Sequence, residues 1–541
     1  MSPARGRDFG RTGLHNDATG AASAPKRGPP PGTSMSDLTW KSNDYRLGGG
    51  SEAWWAFVML AGLGLLLAAR LLALRLNGTD LFFDEAQYWT WSLEPDLGYY
   101  SKPPLIAWII RAATDYCGSG EYCIRLPSPL LHTATALVIY GLGRILYDGR
   151  IGALSALAYA TLPGVSVSAG IISTDVPLLF SWALALLAFA ALVETGAMWP
   201  ALVLGIALGI GLNAKYAMAW FLLSMIVYLA VTPSRRAVLA DKRLYIALVI
   251  AAAMIAPNIA WNQANTFVTF GHTADNAKWG GSLIHPGKGL EFLGSQLGVF
   301  GPILFVTLAA VTWNAWREGL PGPDRLLLAF ALPVLVVITV QAFVSRAHAN
   351  WAAVSYVSAT ILVVATLVRN ADERWLRSSF ALHAVVLGGI IAATTWAGRA
   401  ARPFGPDPMA RTRGWRGIAK AAEAELEAAA KAGKPFRAIV TDDRALTAEL
   451  LYYLRDTVDN EQVKVMAWHP KGRPHDHYEW KRPYWSKTAV EPVLLVSLTR
   501  AGQEIVKSFK SVRVVAEKDI PAGIREHRRV SFYALSGYSG P

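Results

Sequence analysis

Residues 82–89 read FFDEAQYW and follow closely on the first apolar run that is long enough to cross a membrane. The stretch places two carboxylates, Asp84 and Glu85, side by side near the exit of that run. Ionised side chains are costly beside lipid, so such a pair is favoured where it reaches a water-lined site at the membrane face. Chemistry on a lipid-linked substrate would use a site of that kind.

The composition is that of a polytopic membrane protein. The chain has 541 residues, of which 53% are hydrophobic and 17% charged, whereas soluble domains have roughly 25% charged residues. Its mean hydropathy is +0.29. The net charge of +13 is interpreted as an orientation signal, because Lys and Arg collect in cytoplasmic loops. No nucleic-acid-binding motif occurs, so nucleic acid is not expected as a partner.

Apolar runs of about 20 residues predict helices that cross a bilayer. About eleven such helices are predicted, which makes the fold mainly α-helical. They cover residues 54–74, 127–146, 151–171, 176–194, 199–213, 217–232, 243–261, 292–313, 326–345, 351–368 and 378–397. Lys and Arg concentrate in the even-numbered connections, except near Glu194, so the positive-inside rule places the amino terminus in the cytoplasm.

The chain divides into three predicted parts. Residues 1–50 are rich in Gly, Pro, Ser and Arg and are expected to be disordered. Residues 51–399 hold the membrane helices, and residues 400–541 are predicted to form a small α/β domain. A helix is predicted at 419–432, with buried strands at 437–441 and 493–497. An odd number of crossings places this domain outside the cytoplasm, in the periplasm of a cell with two membranes.

Polar residues that are unusual for a membrane protein collect on the predicted outer side. They are Asp84, Glu85, Tyr88 and Lys102 in the first outer connection, Asp175 in the second, Lys215 in the third, His272 in the fourth and Arg346 in the fifth. Each also has a structural interpretation. Asp84 and Asp175 suit helix N-caps, Lys215 marks a turn, and Arg346 suits a snorkelling side chain. No Cys/His spacing around His272 matches a known metal site.

Cys117 and Cys123 are the two cysteines of the chain. In an oxidising compartment they would form a disulfide that closes a small loop. Packed at a helix end, they would instead remain free thiols. The sequence leaves both alternatives open.

Residues 84–89, DEAQYW, resemble the acidic motif in the first outer loop of the glycosyltransferase C superfamily. Within it, the chain is similar to the family of protein O-mannosyltransferases, lipid A aminoarabinose transferases and rhizobial galacturonosyltransferases. Residues 102–105 (KPPL), 174–177 (TDVP), 214–216 (AKY) and 349–351 (ANW) match further motifs of that family. The resemblance rests on the order of these motifs, on their spacing and on their predicted location on the same side of the membrane.

The resemblance implies an inverting transferase of the bacterial inner membrane. It implies a polyprenyl-phosphate sugar donor, an acceptor that is lipid A, core saccharide, another glycan or a protein, and contact with membrane lipid. Mannose, galacturonic acid and aminoarabinose all remain open. No cofactor is certain, and a divalent metal is allowed because some relatives use one. The resemblance implies catalytic roles for Asp84 and Glu85. It implies substrate-binding roles for Tyr88, Lys102, Asp175, Lys215, His272 and Arg346.

A direct displacement is the mechanistic hypothesis. Asp84 accepts the proton of the acceptor hydroxyl as general base. Lys102, with Arg346 and Lys215 as further candidates, stabilises the leaving phosphate. Asp175 holds a sugar hydroxyl or orients a cation.

A transporter or lipid flippase is the alternative from another functional class. Transporters place charges near the bilayer midplane, often on broken helices in repeated halves. The carboxylates of this chain gather at one face, and the sequence shows no internal repeat. Carboxylates at the bilayer centre would favour transport, whereas carboxylates at the outer rim would favour transfer.

Overall fold

A computed structural model describes residues 51–277, 284–397, 409–458, 463–469, 472–499, 501–523 and 525–540. The segment 1–50, predicted to be disordered, lies outside the described residues. The first part of the chain is helical. Its helices are α1 (Glu52–Arg75), α2 (Phe83–Leu93), α3 (Leu105–Cys117), α4 (Glu121–Arg125), α5 (Pro127–Leu146), α6 (Gly149–Thr161), α7 (Pro163–Ser168), α8 (Asp175–Glu194), α9 (Trp199–Ala214), α10 (Trp220–Val231), α11 (Lys242–Ala264), α12 (Val268–Ala277), α13 (Pro286–Phe300), α14 (Pro302–Glu318), α15 (Gly322–Val344), α16 (Ser355–Arg369) and α17 (Glu373–Thr395).

Six helices of the described residues are long and apolar enough to cross a membrane. They are α1, α8, α11, α15, α17 and the combined run of α4 and α5, Glu121–Leu146. The bent pair α13–α14 would make a seventh, and α9, α16 and Tyr216–Val231 are apolar but shorter. The chain is therefore a polytopic membrane protein, while the number of eleven crossings stays a prediction.

Two predicted spans are wrong as single straight helices. The span at 292–313 is divided into α13 and α14, between which the helix direction bends by 113°. Gly301 between them has φ +87°, which a side chain would strain, and Pro302 has no N–H to continue the α13 ladder. The span at 151–171 is likewise interrupted, because α6 ends at Thr161 and Pro163 begins α7.

The helices pack around α8, which is apolar on all sides and almost entirely buried. α1 and α17 lie at the periphery, where Leu65 and Val385 are 75% and 72% exposed. Large apolar side chains exposed in this way suit contact with lipid tails. Between α5 and α6, a Cβ on Gly143 would lie 2.8 Å from Cα of Gly152, so glycine allows these two helices to approach closely.

The connection after α1 folds into the helices α2, α3 and α4, which precede the next apolar helix α5. Its two longer helices are α2 and α3. Cys117, at the end of α3, forms a disulfide with Cys123 in α4. Of the two alternatives, the structure therefore has the bonded pair.

The C-terminal part is a mixed α/β unit, as predicted. Its elements are α18 (Trp415–Lys431), β1 (Ala438–Thr441), α19 (Arg444–Tyr453), β2 (Lys464–Trp468), α20 (His477–Lys481), β3 (Pro483–Tyr484), β4 (Val493–Ser497), α21 (Ala501–Ile505), β5 (Phe509–Pro521) and β6 (His527–Tyr538). The sheet has the order β3-β2-β1-β4-β6-β5. Strands β3, β2, β1 and β4 are parallel, and β6 and β5 complete the sheet in antiparallel pairings.

The helices α2 and α3 share one hydrophobic core with the C-terminal unit. Trp89 of α2 meets Tyr452 of α19 edge to face, with ring centroids 5.0 Å apart. The hydroxyl of Tyr453 accepts a hydrogen bond from the backbone N–H of Leu81 at 2.9 Å. Because these contacts involve buried side chains, the C-terminal unit has a fixed position beside α2.

Candidate active site

A cavity of about 840 Å³ lies between α2, the C-terminal unit and the ends of several apolar helices. Small-molecule sites in proteins commonly occupy roughly 300–1,000 Å³. Apolar side chains that include Val165, Leu179 and Val299 form part of its wall. The charged residues in the wall are Asp84, Glu85, Lys102, Asp175, Lys215, Arg411, Arg444 and Asp476.

Asp84 lies in the first turn of α2 and lines the cavity. Its Oδ1 accepts a hydrogen bond from Nη2 of Arg444 at 3.0 Å. The side chains of this ion pair are 36% and 32% exposed, so a bound substrate can reach them. Phe82 occupies the N-cap position of α2, and the alternative in which Asp84 only caps the helix is wrong.

Arg444 is a site residue that sequence analysis missed. It is the first residue of α19, where the side chain of Asp443 caps the helix by accepting from the N–H groups of Ala445 and Leu446. A cation at a helix N-terminus is disfavoured by the helix dipole. The sequence pattern Asp-Arg before an apolar helix therefore carried a weak signal, namely that this arginine has a partner elsewhere.

Glu85 is fully buried and its carboxylate is saturated with donors. Nε and Nη2 of Arg125 lie 3.0 Å and 2.7 Å from its oxygens. The backbone N–H groups of Phe82 and Ile172 each donate to it at 2.9 Å. Charge-assisted bonds of this kind stabilise a buried carboxylate only when every lone pair is used. Glu85 therefore joins α2 to α4 and to the segment before α8.

Asp175, Lys215 and Asn350 come together from three separate motifs of the sequence. Nζ of Lys215 lies 2.7 Å from Oδ1 of Asp175, and Nδ2 of Asn350 donates to Oδ2 at 2.6 Å. Thr174 is the N-cap residue of α8, so Asp175 does not act as the predicted cap. The carboxylate instead holds the side chains of Lys215 and Asn350, and both residues line the cavity.

Lys102 is a half-buried cation in the wall of the cavity. Among the described residues, no side chain forms a hydrogen bond or an ion pair with its ammonium group. Burial, followed by the positive charge of Lys215, lowers the pKa of Lys102 to about 8, while Asp84 and Asp175 act in the opposite direction. An anion bound in the cavity would offset the desolvation free energy of the Lys102 ammonium.

Tyr88 and His272, which the resemblance predicts to bind substrate, also line the cavity. Burial, followed by the charge of Asp84, raises the pKa of Tyr88 well above its usual value, so its phenol stays protonated. Burial, followed by the charge of Lys102, lowers the pKa of His272 to about 4. Both side chains are therefore neutral hydrogen-bonding groups near pH 7.

Arg346 is not among the residues that form the cavity wall. It follows the end of α15, and Gln341 donates a hydrogen bond to its backbone carbonyl. Its charge acts on the site through His348, which lines the cavity and whose pKa is lowered by burial and then by Arg346. Arg346 therefore lies near His348 and not in the cavity wall, and its assignment to phosphate binding stays a prediction.

The described residues contain no group of three or more His, Cys, Asp or Glu side chains that could hold a metal ion. His272 has Asn276 as its side-chain neighbour within α12. The described residues therefore offer no ligand set for the divalent metal that the resemblance allows.

Comparisons with known proteins agree with the motifs. A family model described as dolichyl-phosphate-mannose-protein mannosyltransferase matches residues 101–261. The lipid A galacturonosyltransferase RgtD of Rhizobium johnstonii is 38% identical over 411 residues, which cover 76% of this chain and 84% of that protein. The lipopolysaccharide core galacturonosyltransferase RgtA of the same organism is 32% identical over 256 residues, or 46% of this chain and 50% of that protein.

Solved structures support the fold. The apo structure of ArnT from Cupriavidus metallidurans matches with a TM-score of 0.62 and 16% identity, over 90% of this chain and 99% of that chain. The same enzyme bound to undecaprenyl phosphate matches with a TM-score of 0.58 and 15% identity, over 91% of this chain and 100% of that chain. At these identities the likeness concerns the fold alone.

Proposed function

This chain belongs to the glycosyltransferase C superfamily, in the family that includes the rhizobial galacturonosyltransferases, and from that premise we propose that it transfers galacturonic acid to lipid A or the lipopolysaccharide core. The proposed donor is a polyprenyl phosphate that carries the sugar. The observation that carries this assignment is the cavity whose wall contains Asp84, Lys102 and the hydrogen-bonded group of Asp175, Lys215 and Asn350. Asp84 and Lys102 lie on connections between spans, which favours transfer over transport.

In the proposed reaction, the acceptor hydroxyl oxygen attacks the anomeric carbon while the bond from that carbon to the phosphate oxygen breaks. Asp84 takes the hydroxyl proton through Oδ2, an oxygen that Arg444 does not occupy. General-base help of this type contributes about 10²–10⁴ in rate. Attack from the face opposite the phosphate inverts the configuration at the anomeric carbon.

Lys102 has the proposed role of binding the leaving phosphate. Its ammonium lies within electrostatic reach of both Asp84 and Asp175, so the cation and the base serve one cavity. A preorganised cation stabilises charge that develops on the leaving oxygen. The apolar wall residues supply a surface for the first prenyl units of the donor.

The remaining wall residues have proposed binding roles. Asp175, with Lys215 and Asn350 fixed against it, orients hydroxyl groups of the sugar. Tyr88 and His272 add neutral hydrogen bonds. Glu85 is proposed as a positioning residue, because Arg125 and two backbone N–H groups already use its carboxylate.

We also propose that the site faces the periplasm. The amino terminus would lie in the cytoplasm, and eleven membrane crossings would separate it from the C-terminal unit. The shorter apolar helices α9, α10 and α16, together with the interrupted pair α6–α7 as one further crossing, would complete that number. A disulfide between Cys117 and Cys123 suits an oxidising compartment beside α2. Residues 51–399 are proposed as the membrane domain and 400–541 as a periplasmic domain.

Mass spectrometry of envelope glycolipids tests this function directly. A strain that lacks the gene should lose species carrying one uronic acid on lipid A or core, and the intact gene should restore them. Complementation with Asp84→Asn should fail, whereas Asp115→Asn should succeed, because Asp115 is exposed on α3 and its ion pair is with the exposed Arg111. Unchanged glycolipids in the deletion strain would refute the proposal.

A further inference from the structure

The ion pair between Arg444 and Asp84 joins a guanidinium of the C-terminal unit to the proposed catalytic base. From this geometry we propose that Arg444 recognises the carboxylate of the uronosyl donor, exchanging Asp84 for the sugar when the donor binds. The inference rests on the uronosyl donor of the proposed function. It assigns the recognition of that donor to one residue outside the membrane helices.

Arg444 is already placed to bind a carboxylate inside the cavity. Its Nη2 lies 3.0 Å from Oδ1 of Asp84, and its Nη1 lies 2.8 Å from Oε1 of Gln87. Its Cζ lies 4.8 Å from the centre of the Phe83 ring. A guanidinium fixed in this way presents a planar fork that matches a carboxylate in bidentate fashion, which a lysine ammonium cannot do.

The backbone that carries Arg444 is held firmly. Asp443 caps α19 with hydrogen bonds of 2.8 Å and 3.1 Å to backbone N–H groups. Tyr452 and Tyr453 at the other end of α19 contact α2 and the segment before it. An exchange of partners therefore needs a rotation of the Arg444 side chain only, and no movement of the C-terminal unit.

Charge balance favours a second cation for this donor. A uronosyl polyprenyl phosphate carries two negative charges, one on the phosphodiester and one on the sugar carboxylate. Lys102 is proposed for the phosphodiester, and Lys215 already pairs with Asp175. Arg411 also lines the cavity, but it is exposed and its guanidinium lies over the Phe82 ring at 5.4 Å. Arg444 bonds the carboxylate of the base itself and is therefore the lining cation nearest to the proposed reaction.

The covalent structure of the sugar agrees with this location. In a pyranuronate the carboxylate carbon is three bonds from the anomeric carbon, through C5 and the ring oxygen. A cation that binds this carboxylate therefore lies close to the reacting carbon and to the base that serves it. When Arg444 turns to the sugar, Oδ1 of Asp84 is also released, so the donor itself frees the base.

The test compares two donors with purified, reconstituted protein. Polyprenyl phosphates carrying galacturonic acid or galactose differ only at the sugar carboxylate, and kcat/KM is measured for each. In Arg444→Gln the preference for the uronosyl donor should fall about tenfold or more, because a site loses discrimination when its specific polar partner is removed. Arg444→Lys should retain part of the preference. Arg455→Gln, which changes an exposed arginine just after α19, should match the wild type.

The outcomes separate two failures. If the wild type does not use the uronosyl donor, the proposed function is wrong. If the wild type uses it but Arg444→Gln lowers kcat/KM equally for both donors, Arg444 only positions Asp84, and the inference is overturned.

A binding measurement with Asp84→Asn gives an independent test that needs no turnover. Removing the charge of Asp84 frees Arg444, so the uronosyl donor should bind about two- to fivefold more tightly, the range expected when a partly exposed ion pair no longer competes. Binding of unsubstituted polyprenyl phosphate should change less. An equal change in Kd for both ligands would contradict the exchange, and this result is obtained even if Arg444→Gln does not fold.

Discussion

Replacing Lys102 by Arg or Met tests whether this ammonium binds the donor phosphate. Burial lowers the pKa of Lys102 from 10.5 to about 8. The charged form therefore predominates below pH 8 and is lost as the pH rises through that value. A phosphodiester remains ionised throughout this range, so kcat/KM for the donor should fall on the alkaline side. The pH dependence of kcat/KM reports groups of the free enzyme, and this limb should accordingly lie near pH 8.

The size of the effect follows from the titration. At pH 9, one unit above a pKa of about 8, only about a tenth of Lys102 is charged, so kcat/KM should be about tenfold below its plateau. Bound phosphate favours the charged lysine, and the limb in kcat should therefore lie at higher pH than the limb in kcat/KM. Lys102→Met should lower kcat/KM about 10²–10³-fold at pH 7, the usual loss when one transition-state donor is removed.

The assay measures transfer from a labelled polyprenyl-phosphate sugar between pH 6 and pH 10. Lys102→Arg should retain activity and lose the alkaline limb, because an arginine stays charged across this range. Lys102→Met should unfold at a temperature no lower than that of the wild type, since it removes a charge that burial penalises. The reasoning is refuted if the alkaline limb persists unchanged in Lys102→Arg, or if Lys102→Met retains wild-type kcat/KM.

Further predictions concern the networks around the cavity. Glu85→Gln should destabilise the protein by about 3–5 kcal/mol, because it leaves a buried guanidinium without its charge partner; thermal unfolding in detergent measures this, and a loss of kcat with unchanged stability would contradict it. Asp175→Asn and Lys215→Met should be strongly non-additive in kcat/KM, since each removes the same ion pair; additive losses would show independent roles. Replacing Cys117 and Cys123 by Ser should cost about 2 kcal/mol, as expected for a short loop, with little change in the kcat of folded protein.

Much of the fold could be predicted because its signals are local. Apolar length identifies α1, α8 and α15, and the strand at 493–497 agrees with β4 residue for residue. The bend between α13 and α14 was missed although its cause is local, because a hydropathy run of normal length conceals the Gly-Pro step at 301–302. The periodicity and length of an apolar run indicate which residues are buried. They do not indicate the angle between one helix and the next.

Site residues could be predicted from the sequence where they belong to a motif. They could not be predicted where only the tertiary fold brings them to the cavity. Asp84, Lys102 and Asp175 lie in separate motifs, and the structure places all three in one cavity. Arg444 is distant from them in sequence and belongs to no motif. It enters the site because α19 packs on α2, a contact that depends on aromatic side chains in both helices. Arg346 was assigned from its side of the membrane, and sidedness alone does not specify a cavity wall.

The C-terminal unit contributes residues to the wall of the cavity in addition to those of the membrane helices. It closes one side of the cavity, supplies Arg444 and shares a hydrophobic core with the helix that carries the base. Recognition of the donor can therefore involve a part of the chain that no membrane helix contributes.

Single-turnover transfer by Asp84→Asn tests the central claim most directly. Purified enzyme is loaded with labelled uronosyl polyprenyl phosphate, mixed with lipid A, and compared with Asp115→Asn prepared in the same way. We predict that Asp84→Asn binds the donor yet transfers about 10²–10⁴ times more slowly, while Asp115→Asn transfers at the wild-type rate. A wild-type rate in correctly folded Asp84→Asn would contradict the assignment of this cavity as the site of sugar transfer.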